Sequence, residues 1–172
     1  MRHSLCLLAV AAISASTCAA SAQSLRETCS NTAGAVLVEP RIAACSTLIG
    51  DRSLPARDRS QFYIDRAWSH GLQGKWGAAF EDYSAALKGD PANPKIHNEK
   101  GLARLRMGRF ADAVTNYNAA LKLDPRLPYS LFGRGIARMR LGQTAPAQAD
   151  IVAARAAMPD VDAVFSRIGI AP

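Results

Sequence analysis

Three prolines, Pro91, Pro125 and Pro159, stand 34 residues apart, and no other feature of the chain restricts its fold so strongly. A fixed period of this length marks stacked supersecondary units, none of which can bury its apolar face alone. Other positions keep the same step: Gly74, Gly108 and Gly142; Ala79, Ala113 and Ala147; Ala86, Ala120 and Ala154; Ala67, Gly101 and Gly135. Trp76 and Phe110 repeat as an aromatic pair with Thr144 in the third place, and Tyr83 and Tyr117 repeat with Ile151 in theirs. Each copy reads as a helix of about 13 residues, a glycine turn, and a second helix with small and apolar residues at three- and four-residue steps. Asp-Pro or Met-Pro closes it. Small residues at the shared positions let paired helices approach closely, while aromatic and Leu side chains fill the space between units.

With 172 residues, 49% of them apolar and 20% charged, the chain can bury one core, which excludes wholesale disorder. Residues 1–22 read as a secretory signal peptide: Arg2 and His3 precede an apolar stretch from Leu5 to Ile13, and small residues end at Ala20-Ser21-Ala22. Cleavage is expected near Ala22. The stretch is too short for an anchor, and no later one reaches the roughly 20 apolar residues that a membrane helix needs. Cys18 makes a poor lipoprotein site, since Ala15-Ser16-Thr17 puts no Leu three places before it. Beyond the leader only Cys29 and Cys45 remain, enough for one bridge. In an oxidising compartment a bridge over a loop of about 15 residues adds on the order of 3 kcal/mol. Two buried thiols, or half of a metal site, are the competing readings.

The period, with its small, aromatic and terminal-proline positions in this order, resembles the tetratricopeptide repeat. Copies run at 60–93, 94–127 and 128–161. The middle one, "GLARLRMGRFADAVTNYNAALKLDP" from Gly101 to Pro125, is close to that family's pattern, and "GKWGAAFEDYSAALKGDP" from Gly74 to Pro91 is nearly as close. In the third, Thr144, Ile151 and Arg155 replace the turn aromatic, the Tyr and the Leu, so its second helix is expected to pack more loosely. Pro146 falls in a first helical turn, where its missing N–H is not needed.

The resemblance implies an all-α, right-handed superhelical array of helix-turn-helix repeats with a cap at either end. Residues 162–172 are the expected C-terminal capping helix, entered from Asp160, with Val161, Val164, Phe165 and Ile168 on one apolar face. Residues 23–59 are the expected N-terminal cap, where "EPRIAACSTLIGD" (Glu39 to Asp51) resembles the second helix of a degenerate repeat. Cys45 there takes the place of Tyr83, and the step from Tyr83 back to Ala67 leads from Cys45 to Cys29, so a disulfide stapling the cap is implied. The "AACSTLI" segment is similar to one in small exported bacterial repeat proteins, which implies a Gram-negative periplasmic or secreted setting.

A catalytic centre lacks parts, and no enzyme activity, metal or cofactor is expected. His70 and His97 stand in no metal-ligand spacing. Glu81, Asp82, Glu99, Asp112 and Asp150 read as solvated charges on amphipathic faces, and Asp90 and Asp124 as repeat ends. "GRGIARMRLG" has no preceding strand and is no nucleotide loop. The formal charge of +7, one less without Arg2, and Arg104, Arg106, Arg109, Arg134, Arg138 and Arg140 raise nucleic-acid binding. Against it stand the spread of these arginines around the helices and the export signal.

In proteins of the resembled family the first helices line a concave groove, which makes protein-protein interaction the expected function. Carried over, its positions are Gln61, Ile64, Trp68 and Leu72; Lys95, Asn98, Leu102, Leu105 and Arg106; and Tyr129, Phe132, Ile136, Met139 and Arg140. An apolar floor edged by Arg106 and Arg140 fits a short peptide or amphipathic helix of a partner protein bearing an acidic residue. Residues 23–38 folding back, or a second copy of the chain in a homodimer, are the alternative occupants. Ile64 and Trp68 fall where the family's Lys/Asn clamp for a terminal carboxylate begins, so such a clamp is not expected.

Overall fold

The structure, a computed structural model, describes residues 23–30 and 37–170; the signal-peptide reading of residues 1–22 lies outside them. Regular structure among the described residues is helical: α1 over residues 23–30, α2 Val38–Gly50, α3 Ala56–Leu72, α4 Trp76–Gly89, α5 Pro94–Arg106, α6 Phe110–Leu123, α7 Pro128–Arg140, α8 Thr144–Ala157 and α9 Val161–Arg167. Neighbours in sequence are neighbours in space, and α5 also touches α7, so α3, α5 and α7 form an inner row of a superhelical stack. No described helix is long and apolar enough to cross a membrane.

The repeated glycines and prolines shape the turns. After α3, α5 and α7 the chain needs a left-handed residue, supplied by Gly74, Gly108 and Gly142 at φ 71°, 71° and 74°. Each turn closes with the same two bonds. Gly74 N–H donates to Gly71 O and Lys75 N–H to His70 O, and the bonds recur in the later copies. This glycine-ended closure satisfies carbonyls that the helix leaves open. Asp90, Asp124 and Met158, each preceding a proline, are held outside the helical region with ψ of 73°, 96° and 96°, and so stop α4, α6 and α8. Pro94 and Pro128 then open α5 and α7 at positions where no N–H is required.

Small residues set the distances between helices. Ala67, Ala79, Ala86, Ala113, Ala120, Ala147 and Ala154 are fully buried. Tyr117 lies against two glycines: a Cβ on Gly101 would come within 2.7 Å of its ring, and one on Gly133 within 2.4 Å. In the third copy the expected loosening does not occur. Ile151 fills the space beside Gly135, and Arg155 turns out of the core to donate to Asp162 over 2.8 and 2.6 Å.

Both ends are closed. Cys29 and Cys45 form a disulfide with Cα atoms 4.8 Å apart and no exposed surface, joining α1 to α2. Arg41 ties that pair to the array, its Nε donating to Cys29 O over 2.8 Å and its Nη2 to Asp65 over 3.4 Å. At the other end Val161 and Phe165 are buried, and the Phe165 ring centroid lies 4.7 Å from that of Phe132. The chain then turns at Gly169, φ 71°, so that Ile170 enters the core while Ile168 stays exposed.

Candidate functional site

The inner row carries every position expected to line a groove, but only part of it is open. Trp68 and Leu72 from α3 with Leu102 and Arg106 from α5 share the wall of a hollow of about 330 Å³, where Gly71, Trp76, Tyr83, Glu99, Arg167 and Ile168 join them. Leu105, Arg106, Ile136 and Arg140 border a second hollow of about 330 Å³ with Gly108, Phe110, Gly169 and Ile170. Gln61 and Ile64 belong to a separate, more polar depression. Lys95 and Met139 are exposed, and Tyr129 is half-buried against the C-terminal core.

The remaining positions are not free surface. Phe132 and Ile136 lie beneath α9 and the turn after it, at 0% and 1% exposure, and Asn98 and Leu105 are buried as well. The physical reason is the chain's own C-terminal segment, whose Phe165 and Ile170 cover the third-copy floor. Arg106 holds that segment: its Nη1 donates to Ile168 O, and its guanidinium stands 4.8 Å from the Trp76 ring centroid. Arg106 and Arg140 thus flank one hollow, with Arg106 engaged by the end of α9. What remains open is the first-copy half, where Trp68 is 49% and Leu72 56% exposed.

Several carboxylates read as solvated are not. Asp82 receives Arg66 through two bonds of 2.7 and 2.9 Å, and Asp150 receives Arg134 through two of 2.6 and 2.8 Å plus Arg138 at 2.7 Å. These forked contacts link the two helices of a copy, the geometry in which guanidinium and carboxylate bind best. His70 stands 3.7 Å from Asp82, and burial holds it below the usual histidine range, so it is neutral at pH 7. His97 lies 3.2 Å from Pro91 O. Arg104 rests 3.6 Å over the Phe80 ring. The arginines considered for nucleic acid are therefore largely engaged in contacts within the fold.

Glu99 is the side chain that sequence reasoning missed. It sits on the wall of the first hollow, Asn98 Nδ2 donating to its Oε1 over 3.0 Å, and Ser130 Oγ in turn fixes Asn98 over 2.8 Å. Burial pushes its carboxyl above the ordinary value near 4.5. Its place 34 residues after Asp65, on the inner helix, was the available signal. Trp76 and Tyr83 also reach this hollow from the second helix of the first copy, where their repeat positions had marked them only as core. A larger depression of about 730 Å³, edged by Arg52, Arg59 and Lys88, contains none of the expected groove residues. Among the described residues no three His, Cys, Asp or Glu side chains are placed to hold a metal ion.

The model described as TPR repeat matches residues 72–108 and 103–142. The fold is similar to that of MamA at 14% identity, over 81% of this chain and 79% of that one, with a TM-score of 0.70. It is similar to the first TPR of Spaghetti (RPAP3) bound to the HSP90 peptide SRMEEVD, at 22% identity over 66% and 92% of the two chains, TM-score 0.59. It also resembles the Yersinia enterocolitica type III secretion chaperone SycD in complex with a peptide of the translocator YopD, at 19% identity over 65% and 88%, TM-score 0.58. The comparison with curated proteins found no match.

Proposed function

We propose that this chain, a tetratricopeptide-repeat protein, holds a short extended peptide or one amphipathic helix of a partner protein on its inner face. The observation that carries the reading is the open hollow itself. Two large apolar side chains, Trp68 and Leu72, stay about half exposed at its rim, whereas Phe132 is covered. Exposed apolar anchors beside a concavity mark recognition surfaces. RPAP3 and SycD, whose folds this one resembles, are both seen with bound peptides. The site carries no proposed catalytic role.

The setting proposed is extracytoplasmic, periplasmic or secreted, with a scaffolding or assembly role. The Cys29–Cys45 bridge supports it, because such bonds persist in oxidising compartments. Amino-terminal sequencing of the chain recovered from the periplasm should begin at Gln23.

A peptide array probed with the full chain tests the binding reading. Trp68→Ala and Leu72→Glu should lose the captured peptides, while Val152→Glu, on an exposed outer position, should keep them. Equal behaviour of all three variants would sink it. The same exposed Trp68 and Leu72 favour a second reading, a homodimer seam. Light scattering across a concentration series separates the two, since only the seam predicts a dimer that Leu72→Glu dissolves.

A further inference from the structure

The repeat places two carboxylates at one register of the inner row, Asp65 on α3 and Glu99 on α5. Each accepts a side-chain amide, Gln61 at Asp65 and Asn98 at Glu99, but among the described residues only one has a cation. At Asp65 the chain supplies a cation from outside the repeat: Arg41 of α2 reaches its Oδ1 over 3.4 Å and lies 4.9 Å from the ring centroid of Trp68, three residues on. A guanidinium on a carboxylate, laid across an apolar neighbour on the same helix, is therefore what this register accepts in the first copy.

At Glu99 the corresponding neighbour is Leu102, and among the described residues the carboxyl accepts a hydrogen bond from Asn98 and has no ion-pair partner. The rest of its environment is a hollow of about 330 Å³ walled by Trp68, Trp76, Tyr83 and Leu102. An aliphatic stem fits such walls, and the face of a Trp or Tyr ring attracts a cation. Asn98, itself locked by Ser130, fixes the carboxyl in place. Arg106 and Arg167 stand on the same wall, Arg106 turned to the Ile168 carbonyl. They disfavour a small free cation and favour a segment that carries an acidic residue beside its basic one.

We propose that the Glu99 hollow receives the lysine or arginine side chain of a bound partner peptide, repeating between molecules the contact that Arg41 makes with Asp65 within the chain. The proposal rests on the peptide-holding reading above and adds to it the identity of the anchoring side chain. Burial raises the Glu99 carboxyl above its ordinary value, and a cation beside it favours the charged form, so binding and ionisation support each other.

The test is a synthetic array of nine-residue peptides in which Lys, Arg, norleucine, citrulline or Glu stands at each position in turn, probed with the full chain, Glu99→Gln and Trp68→Ala. The wild type should prefer Lys or Arg over norleucine or citrulline at one position, by roughly ten- to a hundredfold for a charged hydrogen bond. Glu99→Gln should level that preference and leave the remaining sequence dependence intact, whereas Trp68→Ala should weaken all peptides alike. Peptides captured with no basic preference, or with one that survives Glu99→Gln, would overturn this inference and leave the peptide-holding reading standing. No capture of any peptide by the wild type would overturn both. The arginine against citrulline comparison is made on the wild type alone, so equal capture of the two overturns the inference even if Glu99→Gln fails to fold.

Discussion

Tyr117 shows how tightly single residues are specified in this array. Its ring occupies the space that Gly101 and Gly133 leave open, and its buried hydroxyl has no hydrogen-bond partner among the described residues. A methyl group at Gly133 would collide with that hydroxyl, so Gly133→Ala should lower stability by about 1–3 kcal/mol. Tyr117→Phe removes the unsatisfied group and should raise stability by about 1 kcal/mol. Chemical denaturation of the two variants checks both signs. Glu99 gives a prediction in pH. Its folded-state pKa lies above the ordinary 4.5, so the folded chain binds this proton more tightly than the unfolded one. That contribution is complete below about 4.5 and is lost as pH rises through the raised value. Glu99→Gln should accordingly flatten the fall in melting temperature above pH 4.5 and be the more stable form at neutral pH. One register thus has three outcomes: Asp65 with Arg41, Glu99 without a cation, and Gly133 with no side chain so that Tyr117 fits. Only the period is visible in the sequence; which neighbour enters each place depends on packing between copies.

At the scale of elements, the sequence is most readable where backbone rules decide. The helix pairs, the left-handed glycines and the stopping prolines follow from local chemistry, and the inner helices carry the expected groove positions. It is least readable where one element covers another. The apolar face of α9 was visible in Val161 and Phe165, but that Gly169 would redirect Ile170 instead of Ile168 into the core depends on a turn outside the periodic pattern. α9 meets α7 as α7 meets α5, but the turn that follows it does not keep the spacing of the repeats. At the other end, the α1–α2 staple closes a separation of 16 residues, for which loop entropy gives about 3 kcal/mol. Contacts in such an array are chiefly between neighbours, so the loss should stay local. Hydrogen exchange of the chain under reductant should show α1 and α2 opening while the amides of α5 to α8 keep their protection. Uniform loss of protection along the chain would contradict this.

For the whole molecule, the consequence is an inner face closed at one end and open at the other. The C-terminal segment covers the third copy much as a bound helix would: Phe165 stacks at a tilt on Phe132, Ile170 adds apolar contact, and Arg106 grips the Ile168 carbonyl. These are the contacts a groove makes with an occupant, supplied by the chain itself. A chain ending before Val161 should therefore fold, since α3 to α8 pair among themselves, but with a lower melting temperature and with Phe132 and Ile136 open to water. Removing Phe132 itself is a different matter. Phe132→Ala in the full chain should cost about 3–5 kcal/mol, the range for a buried aromatic, and reports on the core and not on recognition. The truncated chain should bind an apolar dye and associate with itself, and a synthetic peptide of residues 158–172 added in excess should reverse both. If the truncated chain stays monomeric, binds no dye and melts with the full protein, α9 is dispensable packing, and the closed half of the inner face owes its burial to the repeats alone.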